Sequence, residues 1–243
     1  AGGAVTTANN TTLVGGLAGD ALTTGNSNTF VGASSGSAAT IGNTNTAVGR
    51  DSLLTNVAGD RNTAIGYQSL KVMTSASTVD SFNTALGYQS GLAVTSGIKN
   101  TIIGASAGAA LTTPGHNVAV GYGSQGAATT GEFNTSLGAL SMGVGVTTGD
   151  SNTALGYEAG LRLTSAADNI LIGRATGGAI TTGTRNTAVG TFSLATEDAN
   201  GNNTAVGYAA LNTLNAGAEG NNVAVGSNAG KLMTTGTHNS LLG

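Results

Sequence analysis

Hydrophobic and polar residues recur along this chain in a fixed order. The phrase Asn-Thr-Ala-Val-Gly, or a close variant of it, occurs fourteen times, and each copy closes on a glycine. These motif glycines are Gly15, Gly32, Gly49, Gly66, Gly87, Gly104, Gly121, Gly138, Gly156, Gly173, Gly190, Gly207, Gly226 and Gly243. Ten of the thirteen intervals are 17 residues, and the others are 21, 18 and 19. A period this regular predicts a repeat architecture in which each repeat packs only on its neighbours.

Apolar residues alternate with other residues in front of each glycine. The residue just before the glycine is Val, Ile or Leu in all fourteen copies, and the residue three before it is Thr in ten. Side chains two apart share one face of a strand. We expect that face to be the interior, with Val48, Ile103, Val120 and Val189 buried. A second short segment in each coil, such as 110–113, predicts a second strand, and no stripe of helical period is present.

The sequence therefore predicts an all-β fold, a parallel β-solenoid of about 14 coils of 17 residues, formed as a single domain over 1–243. The longer intervals predict insertions within coils at about 71–82, 142–149 and 212–221. The residue four before the glycine is Asn in thirteen copies, and stacked coils would turn this column into a ladder of side-chain amides. The ladder residues are Asn28, Asn45, Asn62, Asn83, Asn100, Asn117, Asn134, Asn152, Asn169, Asn186, Asn203, Asn222 and Asn239.

The opposite strand face carries Ala in eight copies, two residues before the glycine. That face is too apolar to be a solvated surface. We expect another copy of the chain to cover it, so the sequence predicts a homo-oligomer.

Composition excludes several classes of protein. The chain has 8 basic residues, a net charge of −3, no cysteine and one proline. So few basic residues argue against nucleic acid as a partner. Disulfide frameworks and thiolate metal sites are excluded, and collagen would need far more proline. No apolar run approaches the roughly 18 residues of a membrane span, so we expect no membrane insertion by this segment.

Catalytic motifs occur only as by-products of the repeat. Residues 121–126 match a dinucleotide fingerprint, and 32–36 and 104–108 match a nucleophile elbow, but each needs a following helix that the pattern does not predict. His116 and His238 fall in one column seven coils apart, too far to share a metal or a reaction. A loop cation near Glu197, Asp198 and Asn200 is a minor alternative. We therefore expect no enzyme activity and no catalytic, cofactor-binding or metal-binding residues.

Aromatic residues occupy one position of the repeat. All five tyrosines follow a motif glycine directly, and two arginines share their column. The column is Tyr67, Tyr88, Tyr122, Tyr157, Tyr208, Arg50 and Arg174. It predicts either packing over a turn or subunit groove, or a surface for a host glycan or protein.

Threonines give a rival prediction. A threonine column runs through a different position of the coil, with members such as Thr23, Thr95 and Thr181. Regular threonine arrays on flat solenoids resemble ice-binding proteins. Val57, Asp198 and the insertions interrupt this array, which counts against that function.

The repeat also resembles known families. Asn45-Thr46-Ala47-Val48-Gly49 resembles the head repeat of YadA-like trimeric autotransporter adhesins, and 62–70 and 203–211 resemble the 17-residue repeats of phage tail-fibre and related surface proteins, many of which end in an endosialidase-type intramolecular chaperone domain. The resemblance implies a left-handed β-roll, a homotrimer and an extracellular place, on a virion tail fibre or a bacterial surface. It implies a shaft or head segment that mediates or supports surface attachment. The alternative is a self-assembling extracellular filament whose subunit is this chain.

Overall fold

The described part of the chain consists of short strands and turns. The computed structural model describes residues 1–75, 80–216 and 219–243, and among these it contains fourteen three-residue strands and no helix. The parallel β-solenoid predicted from the period is thus confirmed. The chain divides into two compact units, Ala1–Asn117 and Val118–Gly243. The prediction of a single domain over 1–243 stays a prediction.

Every strand coincides with one motif and stops just before its glycine. In the first unit the strands are β1 (Thr12–Val14), β2 (Thr29–Val31), β3 (Thr46–Val48), β4 (Thr63–Ile65), β5 (Thr84–Leu86) and β6 (Thr101–Ile103). In the second unit they are β7 (Val118–Val120), β8 (Thr135–Leu137), β9 (Thr153–Leu155), β10 (Ile170–Ile172), β11 (Thr187–Val189), β12 (Thr204–Val206), β13 (Val223–Val225) and β14 (Ser240–Leu242).

Strands of consecutive coils pair in parallel and in matching register. Ala47 of β3 lies opposite Ala64 of β4, and Ala188 of β11 lies opposite Ala205 of β12. The same pairing joins β1 to β6 in sequence order, and separately β7 to β14. Because equivalent residues lie opposite one another, each position of the repeat forms a column within its unit.

The motif glycine is required by both its backbone and its neighbour. Gly49 has a backbone φ of 129°, which residues with a Cβ rarely adopt. A Cβ built on it would lie 2.6 Å from the carbonyl oxygen of Gly66 in the next coil. The chain turns again at left-handed residues two and four positions later, such as Asp51 and Leu53. These turns give the coil its closed path, and the glycine lets successive coils approach to strand-pairing distance.

The interior face of the strand is the one carrying alanine, so the predicted orientation was wrong. Ala47 and Ala188 are fully buried, whereas the flanking Val48 and Val189 are only half-buried. Alternation along a strand defines two faces but does not say which one points inward. Here the rest of each coil supplies the large apolar groups, so the strand needs only a small side chain on its inner face.

The predicted second strand is also wrong in detail. Segments such as 110–113 form no strand in the described residues, although Thr95 N donates to Thr112 O at 2.8 Å. Isolated bonds of this kind tie adjacent coils together at the threonine column without forming a continuous ladder. Each coil therefore has one strand and two turn-rich sides.

No coil carries a large side chain at both of two inward positions, although three coils are small at both. The inner strand residue faces a second inward position six residues later, which holds either glycine or a large side chain. Large strand residues coincide with glycine there, in the pairs Leu13 and Gly19, Phe30 and Gly36, Ile102 and Gly108, and Leu171 and Gly177. Coils with leucine at the second position, such as Leu53 and Leu194, carry alanine in the strand. A Cβ on Gly36 would lie 2.7 Å from the Phe30 ring, so the two positions share one space.

The asparagine column is buried and fully hydrogen-bonded. Asn45 Oδ1 accepts the backbone N–H of Asn62 at 2.9 Å and its Nδ2 at 3.1 Å, while Asn45 Nδ2 donates to Gly59 O at 2.9 Å. The backbone N–H of Asn45 in turn donates to Asn28 Oδ1 at 2.9 Å. Asn45 therefore joins its own coil to both neighbours, to the preceding coil through its backbone N–H and to the following coil through its side chain. These bonds replace ladder bonds beyond the end of the strand.

The longer intervals are accommodated without breaking the stacking. Thr74 N still bonds to Thr95 O, and a parallel bridge joins Asp60 to Asp80 across the first insertion. Residues 76–79 of that insertion, and 217–218 of the third, lie outside the described residues. The second adds one residue between Met142 and Thr148, both of which bond to the following coil.

Candidate interaction surfaces

Within each unit, the outer face of the strands is a continuous aliphatic surface. We define the outer aliphatic column as the residues preceding the motif glycines, which are Val14, Val31, Val48, Ile65, Leu86, Ile103, Val120, Leu137, Leu155, Ile172, Val189, Val206, Val225 and Leu242. Coil neighbours cover their flanks, yet Leu86 and Leu137 remain 44% and 50% exposed. Threonine flanks the column in most coils, and Ile170 and Val223 extend it where threonine is missing. No position of this face is charged, which is unusual for a surface that meets water alone.

This finding changes the surface that needs a cover. The sequence predicted that a second copy would cover the alanine face, but that face is the interior of the coil. The apolar face left open is the outer aliphatic column. It keeps the same register in every coil of each unit, so an identical chain would meet it with the same spacing.

The column after the motif glycine carries the exposed aromatic rings. All five tyrosines are exposed, from Tyr67 at 37% to Tyr122 at 64%. In the first unit, Tyr67 and Tyr88 occupy adjacent coils and stack with their centroids 5.4 Å apart and an interplanar angle of 16°. In the second, Arg174 lies over the Phe192 ring at 5.3 Å, and Phe192 packs edge-on against Tyr208. Where two tyrosines occupy neighbouring coils, as Tyr67 and Tyr88 do, their rings therefore pack against each other.

A polar row that the sequence analysis missed lies next to the first aromatic pair. Gln89 Nε2 donates to Gln68 Oε1 at 2.9 Å, and Gln68 Nε2 reaches Asp51 Oδ2 at 3.5 Å. Arg50 Nε lies 3.6 Å from the same carboxylate oxygen. The signal was present in the sequence, because Asp51, Gln68 and Gln89 each stand two places after a motif glycine. It becomes visible once the repeat is read column by column.

The threonine column uses its hydroxyls within the protein. Thr23 Oγ1 donates to Thr40 O at 3.0 Å, Thr95 Oγ1 to Thr112 O at 3.2 Å, and Thr164 Oγ1 to Thr181 O at 2.8 Å. A hydroxyl whose proton is held by the next coil has only its acceptor side left for water. This arrangement explains the threonines as links between coils, and the ice-binding alternative stays a prediction.

Two polar side chains occupy a column that is otherwise apolar. Seven residues after the glycine most coils bury an aliphatic side chain, such as Leu22 or Ile180, but Asn56 and Glu197 are buried there instead. Asn56 closes its own turn, accepting from Gly59 N at 3.0 Å and donating to Gly59 O at 2.9 Å. Asn56 and Glu197 can be recognised from the sequence as buried polar residues only once it is known that their column faces inward.

Glu197 closes the equivalent turn with a carboxylate. Its Oε1 accepts from Asn200 Nδ2 at 2.6 Å and from the backbone N–H groups of Asp198 and Asn200 at 3.1 Å each. Its Oε2 finds no hydrogen-bond partner among the described residues. Burial raises the pKa of Glu197, and the hydrogen bonds, led by those from Asn200, act in the opposite direction.

The remaining chemistry-bearing residues do not assemble into a site. His116 belongs to the first unit and His238 to the second, where His238 Nε2 lies 3.5 Å from Asn221 Nδ2. Ser34 and Ser106, at the centres of the elbow-like motifs, lie in turns with a φ of 57° and 55°. Within the ranges 1–75, 80–216 and 219–243 there is no pocket and no group of three potential metal ligands, the loop of Glu197 and Asp198 included. The same ranges hold no helix long and apolar enough to cross a bilayer.

No protein-family model, curated protein or solved structure matches this chain. Its surfaces must therefore be interpreted from their own geometry. Two of them are open and regular, namely the outer aliphatic column and the column of tyrosines.

Proposed function

We propose that this chain is a structural shaft or head segment of an extracellular homotrimeric fibre and that it supports attachment to a surface. The observation that carries the proposal is the outer aliphatic column, which offers an uncharged apolar residue in every coil. A second copy of the same chain presents the same column at the same spacing, so two or three copies can cover one another along their length.

The energetics favour a contact made of many coils. Burying a half-exposed Val or Leu contributes on the order of 1 kcal/mol, at roughly 25 cal/mol per Å² of apolar area. Association costs about 4–15 kcal/mol in lost freedom, so one or two coils do not hold copies together. A contact repeated over many coils exceeds this cost, which makes the column effective only as a whole.

The resemblance of residues 45–49 and 62–70 to fibre repeats supports three parts of the proposal. These are the number of copies, the left-handed path of the coil and the extracellular setting. The composition fits that setting, because Asn, Thr and Gly replace charged residues on the surface, and only 8% of residues are charged. An assembly held by apolar contacts is also insensitive to salt.

Sedimentation equilibrium of residues 1–243 tests the assembly. We expect a mass three times that of the 23.3 kDa chain, unchanged between low and high salt. A monomeric mass at micromolar concentration overturns the proposal. Immunogold labelling of the source with an antibody against these residues tests the setting, and label confined to the cell interior contradicts it.

A further inference from the structure

The column of tyrosines contains a gap of one coil between two aromatic rings. In the second unit, Tyr122, Ala139 and Tyr157 follow the glycines of three consecutive coils. Leu140 N bonds to Tyr122 O at 2.9 Å, and Glu158 N bonds to Ala139 O at 3.1 Å, so the three coils are in register. The middle position therefore carries only a methyl group between two phenol rings.

The width of this gap suits one flat ring. Adjacent tyrosines in the same column stack at 5.4 Å, as Tyr67 and Tyr88 do. Two coils at strand spacing place Tyr122 and Tyr157 roughly 10 Å apart, since each coil adds about 4.8 Å. A ring inserted midway would lie about 5 Å from each phenol, within the range of favourable stacking.

Both rings at the gap are exposed. Tyr122 is the most exposed of the five tyrosines at 64%, and Tyr157 is 47% exposed. The stacked rings of Tyr67 and Tyr88 are 37% and 52% exposed, so it is the spacing of the column rather than exposure that sets Tyr122 and Tyr157 apart. Because alanine rather than tyrosine stands at 139, the ring faces of Tyr122 and Tyr157 that point into the gap are left uncovered.

Polar groups surround the same gap. Both tyrosine side chains are exposed, and hydrogen bonding and charge from the neighbouring Glu158 carboxylate raise the pKa of Tyr157. Arg174, one coil beyond Tyr157, lies over the Phe192 ring and is not part of this rim. Aromatic faces with a rim of hydroxyl and carboxylate groups match the two kinds of surface on a sugar, namely apolar C–H faces and a ring of hydroxyls.

We propose that Tyr122, Ala139 and Tyr157 form a carbohydrate-binding slot that holds one pyranose ring of an oligosaccharide between the two phenols. Glu158 and the phenol hydroxyls bond to the sugar hydroxyls. This site is distinct from the outer aliphatic column, and it does not depend on the number of copies in the fibre. The slot gives the shaft a means of attachment along its side.

The test compares two replacements of one residue. Ala139→Tyr fills the slot with a ring that stacks on both neighbours, and the fold tolerates it because tyrosine is the native residue at this position in five other coils. Ala139→Ser leaves the slot open. The wild-type chain and both variants are applied to an array of neutral and sialylated oligosaccharides, and the strongest ligand is titrated by tyrosine fluorescence, which no tryptophan obscures.

We expect the wild-type chain and Ala139→Ser to bind the same oligosaccharides and Ala139→Tyr to bind none of them. Tyr122→Ser and Tyr157→Ser should each weaken binding about tenfold or more. Tyr208→Ser is the matched control, because Tyr208 is 52% exposed but packs against Phe192 rather than lining the slot, and it should bind normally.

The slot is overturned if no oligosaccharide on the array binds the wild-type chain, or if Ala139→Tyr binds as well as Ala139→Ser. Sedimentation of every variant separates this failure from failure of the fibre proposal, which shows as a monomeric wild type. A mass that falls in Tyr122→Ser or Tyr157→Ser without any glycan binding would make the slot a contact between copies, and that also rejects the carbohydrate assignment.

Discussion

At the scale of single residues, the fold depends on polar side chains that take over from the backbone where the strands end. Each strand pairs over only three residues, so the turns need other partners. The asparagine column supplies them, and Asn56 and Glu197 do so inside two coils. These groups are buried, so the loss of one leaves its partners without water to replace it.

Asn45→Ala should destabilise the first unit by about 2 kcal/mol, because it orphans the buried N–H of Asn62 and leaves the Gly59 carbonyl with Asn56 Nδ2 alone as donor. Asn26→Ala is the control, since Asn26 is exposed although its Oδ1 also accepts a backbone N–H, and it should change stability by less than about 1 kcal/mol. Urea unfolding of both variants measures the difference. Equal effects of the two would show that the ladder adds no stability.

Glu197→Gln should stabilise the second unit at pH 7. Because burial raises the pKa of Glu197 in the folded state, the neutral form of this carboxyl favours folding more than the charged form does. Its carboxyl is protonated in both states below the unfolded pKa, and stability is lost as the pH rises through the folded pKa. The advantage of Gln should therefore shrink between pH 7 and pH 4, as followed by urea unfolding at both values. The exposed Glu219→Gln serves as control, and an advantage of Glu197→Gln that stays constant with pH would contradict the assigned cause.

At the scale of the element, the strand positions follow from the sequence, as does the lack of helices in the part of the chain that the structure describes, but the direction of the faces does not. The period of 17 and the Val, Ile or Leu before each glycine place the fourteen strands. The alternation of Ala47 and Val48 leaves open which of them points inward. That choice depends on Leu53, six residues past the strand residue, which fills the interior from another side of the coil. The aromatic pair Tyr67 and Tyr88 could be placed in one column from sequence, whereas their stacking needed the coil spacing of a structure.

Exchanging large and small residues across the coil tests this account of the interior. Ala47→Leu alone should overpack the core at a cost of about 1–3 kcal/mol, and Leu53→Gly alone should open a cavity costing about 2–5 kcal/mol. The double variant reproduces the arrangement of Leu171 with Gly177, so the two changes should compensate by at least about 1 kcal/mol. Urea unfolding of the four proteins gives this coupling. Additive effects, within about 0.5 kcal/mol, would mean that the two positions do not share a space.

At the scale of the whole molecule, the same repeat separates two tasks by position. Inward columns and the asparagine column hold coils together within each unit, and outward columns are left for partners. The outer aliphatic column adds less to a single chain than the core does, because its members all remain partly exposed to water. The regularity of the outer aliphatic column has a use only in an assembly. Substitutions in this column should therefore change association, whereas substitutions in the core should change folding.

Leu137→Lys combined with Ile172→Lys should dissociate the assembly while the single chain stays folded. Both side chains are exposed, at 50% and 37%, so each ammonium group can reach water in a lone chain. In the proposed trimer the six added charges meet at one interface, where desolvation and repulsion weaken association. Sedimentation should show the mass falling to that of one chain, with an unchanged far-ultraviolet circular dichroism spectrum. Ala154→Lys with Ala188→Lys provides the contrast, because these buried positions lie on the inner face of the same sheet and should lose the spectrum itself. A double variant at 137 and 172 that keeps the mass of the wild type would remove the outer aliphatic column as the surface between copies.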